Sequence, residues 1–176
     1  MKIISCTDMK KVLVIGNMGA GKTTFARELS RKLDLPVVHL DRLYWCGEWE
    51  HVSREEFDEK LSAELSKEKW IIDGNYNRTI PHRLKFCDTV FFFDFSPLTC
   101  LFGVTKRVIE NYGKTRDDMG GSCPEYFDKQ KIELYKNLFK YNKNNRARYY
   151  EMLENSDAEV VVFKKHKDAT EYLKNL

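Results

Sequence analysis

The sequence contains no C-x-x-C pair, no long apolar run, no internal repeat, no low-complexity linker and no marked excess of charge of either sign. Each absence removes a class of protein. Five cysteines, at positions 6, 46, 87, 100 and 123, are scattered and odd in number. They cannot all pair internally and lack zinc-ligand spacing, so they read as reduced thiols. No apolar segment reaches the ~20 residues of a membrane helix, and the first residues carry one lysine without an apolar stretch of signal-peptide length. A soluble, cytoplasmic protein without a membrane partner is the expectation. Thirty basic residues against 27 acidic ones leave a net charge of only +3, too balanced to signal nucleic-acid binding by itself. With 176 residues, 42% hydrophobic and 13% aromatic, the chain suits a single domain, 1–176, with a full core. Residues 1–8 precede Met9-Lys10-Lys11 and read as an extension outside that fold.

What is present begins with Val12-Leu13-Val14-Ile15, an apolar strand that breaks into Gly16-Asn17-Met18-Gly19-Ala20-Gly21-Lys22-Thr23-Thr24. Strand, glycine loop, Gly-Lys-Thr and helix in this register form a phosphate-binding P-loop. Glycines without Cβ let successive backbone N–H groups turn inward around phosphate oxygens, and the following helix points its positive end at the same anion. Lys22 supplies a mobile charge for the outer phosphates, and the Thr23 hydroxyl suits a Mg²⁺ shell.

Along the chain, β-type runs alternate with helical patterns. Strands are expected at about 11–16, 36–40, 70–72, 89–93 and 159–163. Helices are expected at 22–33, from the Ser53…Glu56 capping box with Phe57, Leu61 and Leu65 on one face, from Ser96-Pro97 to about Tyr112, and from Pro124 with a break near Asn142–Asn145. A final helix is capped by Asp168 with Glu171. Nearly continuous apolar strands between helices predict a parallel sheet covered on both sides, with ligands beyond the carboxyl ends of the strands.

That rule gathers Asp41, Asp73 and Asp94 around the loop, since each follows an apolar strand core. A carboxylate there can orient Mg²⁺ or take the proton of an attacking hydroxyl; Asp94, next to Ser96-Pro97, could equally be a turn or cap residue. Tyr44 and Trp45 beside Asp41 fit either an acceptor-pocket wall or the core. Asp73-Gly74-Asn75-Tyr76-Asn77-Arg78 offers polar groups to an acceptor, and Arg78 and Arg83 could join it or be surface arginines. Arg107, Lys114 and Arg116 flank Gly113, Gly120 and Gly121, the composition of a mobile lid that brings charge onto a transferring phosphoryl group. Asp117-Asp118-Met119-Gly120 satisfies D-x-x-G, but no strand precedes it and no N-K-x-D is present, which excludes a GTPase switch. The basic run Lys129 to Arg148, interleaved with Glu and aromatics, reads as a solvated helix face.

Four segments together resemble a family: the Gly16–Thr23 loop, Leu40-Asp41-x-Leu43-Tyr44-Trp45, Trp70-Ile71-Ile72-Asp73-Gly74-Asn75-Tyr76, and Arg116-Asp117-Asp118-Met119 followed by Cys123-Pro124-Glu125. They are similar to the adenylate-kinase-related proteins called DNA topology modulation (FlaR-like) proteins, over about residues 10–174. The resemblance implies a P-loop nucleoside-monophosphate-kinase-like three-layer α/β sandwich, with a five-stranded parallel sheet in the order 2-3-1-4-5 and a short lid at about 107–125. It also implies an ATP site and phosphotransferase activity. By position, Gly19 to Thr24 would hold ATP phosphates, Asp73 and Thr23 would lie beside Mg²⁺, and Arg107 and Arg116 would be lid arginines. Adenylate kinases continue Asp-Gly with Phe-Pro-Arg, whereas Asn75-Tyr76-Asn77 stands here before Arg78, so AMP is not carried over as acceptor. A small-molecule kinase is therefore expected, with Lys22, Asp41, Arg107 and Arg116 catalytic. Gly16 to Thr24 would bind the nucleotide, and Asp41, Trp45, Asp73, Asn75, Tyr76 and Arg78 would face a small-molecule acceptor. The alternatives are an ATP-regulated DNA-associated factor, although no DNA-reading element is present, and a bare ATPase.

Overall fold

In the computed structural model, residues 9–176 are described; of the side chains at 129–131 and 142–144 only the helical backbone is given. Residues 1–8, the expected extension, lie outside the described residues.

Strand β1 (Lys11–Gly16) is central because its apolar residues are buried on both faces. It pairs in parallel with β5 (Trp70–Asp73) on one side and β6 (Thr89–Phe93) on the other; β2 (Val37–His39) and β7 (Glu159–Phe163) complete the sheet. Successive side chains point to opposite faces, so Val12 and Val14 join one core while Leu13 and Ile15 join the other. The first core is covered by α1 (Lys22–Leu33), through Phe25, Ala26 and Leu29, and by α7 (His166–Lys174), through Ala169 and Tyr172. The second is covered by Phe57, Leu61 and Leu65 of α3 (Arg54–Leu65) and by Tyr141, Tyr149 and Leu153 of α6 (Lys129–Glu154). These are the three layers of the expected α/β sandwich.

Five parallel strands form the sheet, but the described residues hold seven strands, because β3 (Trp45–Gly47) and β4 (Glu50–His51) make a small antiparallel hairpin absent from the sequence reading. Numbered along the chain, the sheet order is β2-β5-β1-β6-β7, not 2-3-1-4-5. The hairpin accounts for the change: it occupies two numbers between the second and third strands of the sheet.

Caps behave as their local chemistry dictates. Ser53 Oγ accepts from Glu56 N at 3.1 Å and Ser96 Oγ from Thr99 N at 3.2 Å. Three boundaries differ from expectation. Asp41 lies inside a short helix, α2 (Leu40–Tyr44), and α5 (Pro97–Glu110) stops before Tyr112. Pro124 starts no helix; it is bridged to Thr115, as Glu125 is to Tyr112, and α6 begins only at Lys129 and runs unbroken through 142–145. At the last helix Asp168 accepts from Lys164 N and Lys165 N, each at 3.0 Å, whereas Glu171 pairs with Lys167 and caps nothing.

Candidate active site

The parallel register brings the carboxyl ends of β2, β5 and β1 to one edge, with His39 beside Asp73 and Gly16 beside Phe93. The P-loop leaves β1 there. Gly21, in the left-handed region at φ 84°, turns it into α1. The loop is pressed from below by α5: a Cβ on Gly103 would lie 2.0 Å from the Gly19 carbonyl oxygen. Gly103→Ala is expected to force the two elements apart and to cost about 1–3 kcal/mol, the scale of overpacking. Thermal unfolding should show Tm lower by several degrees, whereas an unchanged Tm would mean that this contact carries no strain.

Lys22 is half-buried, and its Nζ donates to the Asn17 carbonyl at 3.0 Å. Burial lowers its pKa, with the neighbouring Asp73 carboxylate opposing. Asp73 Oδ2 accepts from the Thr23 hydroxyl at 2.7 Å and lies 3.1 Å from His39 Nδ1. Burial would raise the pKa of Asp73, but His39, Lys22 and Thr23 together hold it below the usual carboxylate value. Its other oxygen, Oδ1, is buried without a hydrogen-bond partner. A buried carboxylate oxygen left open beside a Thr hydroxyl fits a hard cation such as Mg²⁺. Among the described residues no group of three or more His, Cys, Asp or Glu side chains could hold a metal alone, so any cation here would also need ligands from phosphate or water.

Asp41 stands at the other side of the loop. Tyr76, held at φ 39°, donates its hydroxyl to Asp41 Oδ1 at 2.8 Å, and Arg116 Nη2 lies 3.7 Å from Oδ2. Burial raises the Asp41 pKa above the usual value, with Tyr76 and Arg116 opposing. Glu125, wholly buried, lies between two arginines, 3.4 Å from Arg107 Nε and 3.3 Å from Arg116 Nε. Arg116 also pairs with Asp118 at 2.7 Å. Burial and the adjacent Arg116 charge lower the pKa of Arg107.

Two cavities open at this edge. The first, about 880 Å³, is lined by Met18, Gly19, Gly21, Lys22, Thr23 and Thr24, and also contains Asp73, Asn75, Arg27 and His166. The second, about 650 Å³, is walled by Tyr44, Trp45, Trp49, Phe57, Tyr76 and Tyr126, with Arg54 and Arg78 at its polar side. Met18, Asp41, Tyr76, Arg107 and Arg116 line both.

Several expected positions are thereby redrawn. Gly16, Asn17 and Ala20 do not line the first cavity: the Gly16 N–H donates to Asn75 Oδ1 at 2.9 Å, the Asn17 amide donates to Leu138 O at 3.2 Å, and Ala20 is buried in the core. Asp73 and Asn75 line that cavity and not the second. Arg78 reaches the second cavity but is tied to Asp58 by bonds of 2.8 and 2.6 Å. Asp94 leaves the cleft altogether, because Arg146, Tyr150 and Lys164 converge on its Oδ2 and hold its pKa low. The segment expected to be a mobile lid is seated on α2 and the β3–β4 hairpin: Arg42 Nε of α2 donates to Asp117 O at 2.8 Å, and from the hairpin Trp49 Nε1 donates to Pro124 O at 3.1 Å and Glu48 N to Ser122 O.

Two contributors escaped the sequence reading, and two were seen in another role. His39 has no motif of its own and Trp49 belongs to the unrecognised hairpin; Glu125 entered only within the Cys123-Pro124-Glu125 segment, and Arg83 is buried instead of reaching an acceptor or lying at the surface. Its guanidinium donates to Gly74 O, Asn75 O and Thr79 Oγ1, and burial lowers its pKa to about 10. Arg83 thus fixes Asn75, which in turn fixes Gly16.

No family model matches the chain. Among curated proteins, the shikimate kinase of Blochmanniella floridana is 34% identical over 76 residues, 38% of this chain. The matched part spans 41% of that enzyme's length, so the chain matches less than half of it. Among solved structures, the shikimate kinase of Bacteroides thetaiotaomicron superposes with a TM-score of 0.56 at 16% identity, covering 95% of both chains. The chain therefore has a P-loop kinase-like α/β fold.

Proposed function

We propose that this chain is an ATP- and Mg²⁺-dependent small-molecule kinase, of the adenylate-kinase-related kind that the topology-modulation (FlaR-like) motifs suggest. One observation carries the reading: a phosphate-loop cavity and an aromatic cavity meet at a common wall of Met18, Asp41, Tyr76, Arg107 and Arg116. A phosphoryl group has only to cross that wall. Gly19 to Thr24 would cradle the nucleotide phosphates through backbone N–H groups and the helix dipole. Thr23 and Asp73 would hold Mg²⁺, which when bound neutralises charge on the phosphates. Asp41 would orient the acceptor hydroxyl and take its proton as the new O–P bond forms and the bond to ADP breaks. Lys22, Arg107 and Arg116 would stabilise the negative charge on the transferring group.

The aromatic walls and the arginines at the polar side suit an acceptor with a ring body, a free hydroxyl and an anionic group, such as a nucleotide, a nucleoside derivative or a sugar acid. That the curated relative and the structural neighbour are both named shikimate kinases supports a small hydroxylated acceptor. We read residues 1–176 as one cytoplasmic domain with its lid at about 107–125. Among the described residues no helix is long and apolar enough to cross a membrane.

A coupled ADP-release assay with Mg²⁺, run over nucleoside monophosphates, nucleosides and sugar acids, tests the reading. ADP release that rises when one acceptor is added is the expected result. Release that is indifferent to every acceptor would mark a bare ATPase. Absence of release together with duplex affinity that falls steeply with salt would mark an ATP-regulated DNA-associated factor.

A further inference from the structure

Glu125 is a wholly buried carboxylate that lines neither cavity, yet both arginines of the shared wall are turned toward it. The Nε atoms of Arg107 and Arg116 lie 3.4 and 3.3 Å from the same oxygen, Oε1. The two guanidiniums come from different elements, Arg107 from the last turn of α5 and Arg116 from the loop beyond it, so the carboxylate is what they share. Its own place is fixed by backbone. Glu125 N donates to Lys114 O at 3.1 Å and Gly113 N donates to Glu125 O at 2.8 Å, which seats the side chain on the stretch of chain between the two arginines.

Stability is a poor account of this cluster, because burying an anion with two cations costs solvation that their attraction barely offsets. Geometry is the better account. Two like charges side by side in a partly dry wall repel, and burial with the nearby Arg116 charge lowers the Arg107 pKa while Glu125 opposes. A carboxylate behind both Nε groups offsets that repulsion from outside the cavities. Arg116 is then met on all three nitrogens, with Nη1 2.7 Å from Asp118 and Nη2 3.7 Å from Asp41. Guanidinium is planar, so fixing Nε and one further nitrogen fixes the direction of the whole fork.

We infer that Glu125 is a positioning residue, which holds Arg107 and Arg116 together by their Nε groups so that both face the phosphoryl group as it crosses between the cavities. The inference rests on the phosphotransferase reading and adds to it a residue that touches neither donor nor acceptor. Its effect belongs to the transition state. A bound diphosphate, which lacks the transferring group, should be indifferent to it.

Calorimetric titration of the full chain with MgADP, and with MgADP plus aluminium fluoride as a mimic of the transferring phosphoryl group, separates these states. Each titration is run with nucleoside monophosphates, nucleosides and sugar acids in turn. The wild type is expected to bind the fluoride complex more tightly than MgADP with at least one of them. Glu125→Gln keeps the shape and removes the charge. It should lose about tenfold or more of that tightening, short of the roughly 10²–10³-fold that outright removal of a charge-stabilising donor costs, with MgADP affinity unchanged. Glu125→Asp keeps a counter-ion, and with it the fold, but draws the carboxylate back from both Nε groups; its loss should fall between. Full tightening in both variants would overturn the inference and leave the kinase reading intact. Equal weakening of MgADP and its fluoride complex would overturn it too, by making Glu125 part of the fold only. A wild type that gains nothing from fluoride with any acceptor would overturn the kinase reading and the inference together.

Discussion

Lys22→Ala is expected to lower acceptor-dependent ADP release by about 10²–10³-fold or more, the range seen when one charge-stabilising donor is removed from a preorganised site. The argument rests on position. The half-buried ammonium sits within the P-loop, donates to the loop's own Asn17 carbonyl, and shares its cavity with Asp73. Burial disfavours its charge in the ligand-free protein, so the charge is strongest in effect when phosphate oxygens arrive. Folding should change little. Asp73 keeps His39 and Thr23 when Lys22 is gone, and the ammonium anchors no part of the hydrophobic core. Turnover and Tm measured on the same preparation decide the matter, and wild-type turnover by the alanine variant would remove Lys22 from the chemistry.

Asp41→Asn should separate activity from stability in the opposite sense. An amide keeps the shape and can still receive the Tyr76 hydroxyl, but it cannot take a proton. Acceptor-stimulated turnover should fall by roughly 10²–10⁴-fold, the contribution of a positioned base, with nucleotide affinity almost unchanged. In the wild type the acid limb of the rate profile should lie above the ordinary carboxylate range, because burial raises the Asp41 pKa. The linkage has a definite sign. A carboxyl whose folded-state pKa is raised binds its proton more tightly when folded, so deprotonation costs stability as pH climbs above the unfolded value. The asparagine variant escapes that cost, and its Tm at neutral pH should equal or exceed that of the wild type. A loss of nucleotide affinity as large as the loss of turnover would move Asp41 to the metal.

The sequence made visible what is decided within a few residues. The P-loop, the Ser53 and Ser96 caps and the double-faced apolar strands 11–16 and 89–93 each carry their cause locally. What stayed hidden depends on partners far along the chain. Arg83 looks like any surface arginine until the turn at 77–79 folds it under Gly74 and Asn75. Asp94 looks like a cleft carboxylate until Arg146, 52 residues later, claims it. Glu125 is visible in sequence only as the end of the Cys123-Pro124-Glu125 segment, with nothing to mark it as the buried anion that spaces two arginines. The hairpin at 45–51 escaped because its strands are three and two residues long, the first partly and the second wholly exposed, too short for any alternation to register.

The seam between that hairpin and the 117–124 loop bears on how reactants come and go. Two chain segments some 75 residues apart in sequence are joined by the Glu48–Ser122 backbone bond and the Trp49 indole bond, and Gly120 and Gly121 lie so close to Trp45 and Cys46 that no side chain could intervene. On the proposed kinase reading, the covers over donor and acceptor would then form one jaw, not two doors. A single opening event would expose both chambers, and the occupancy of either one would govern the traffic of the other.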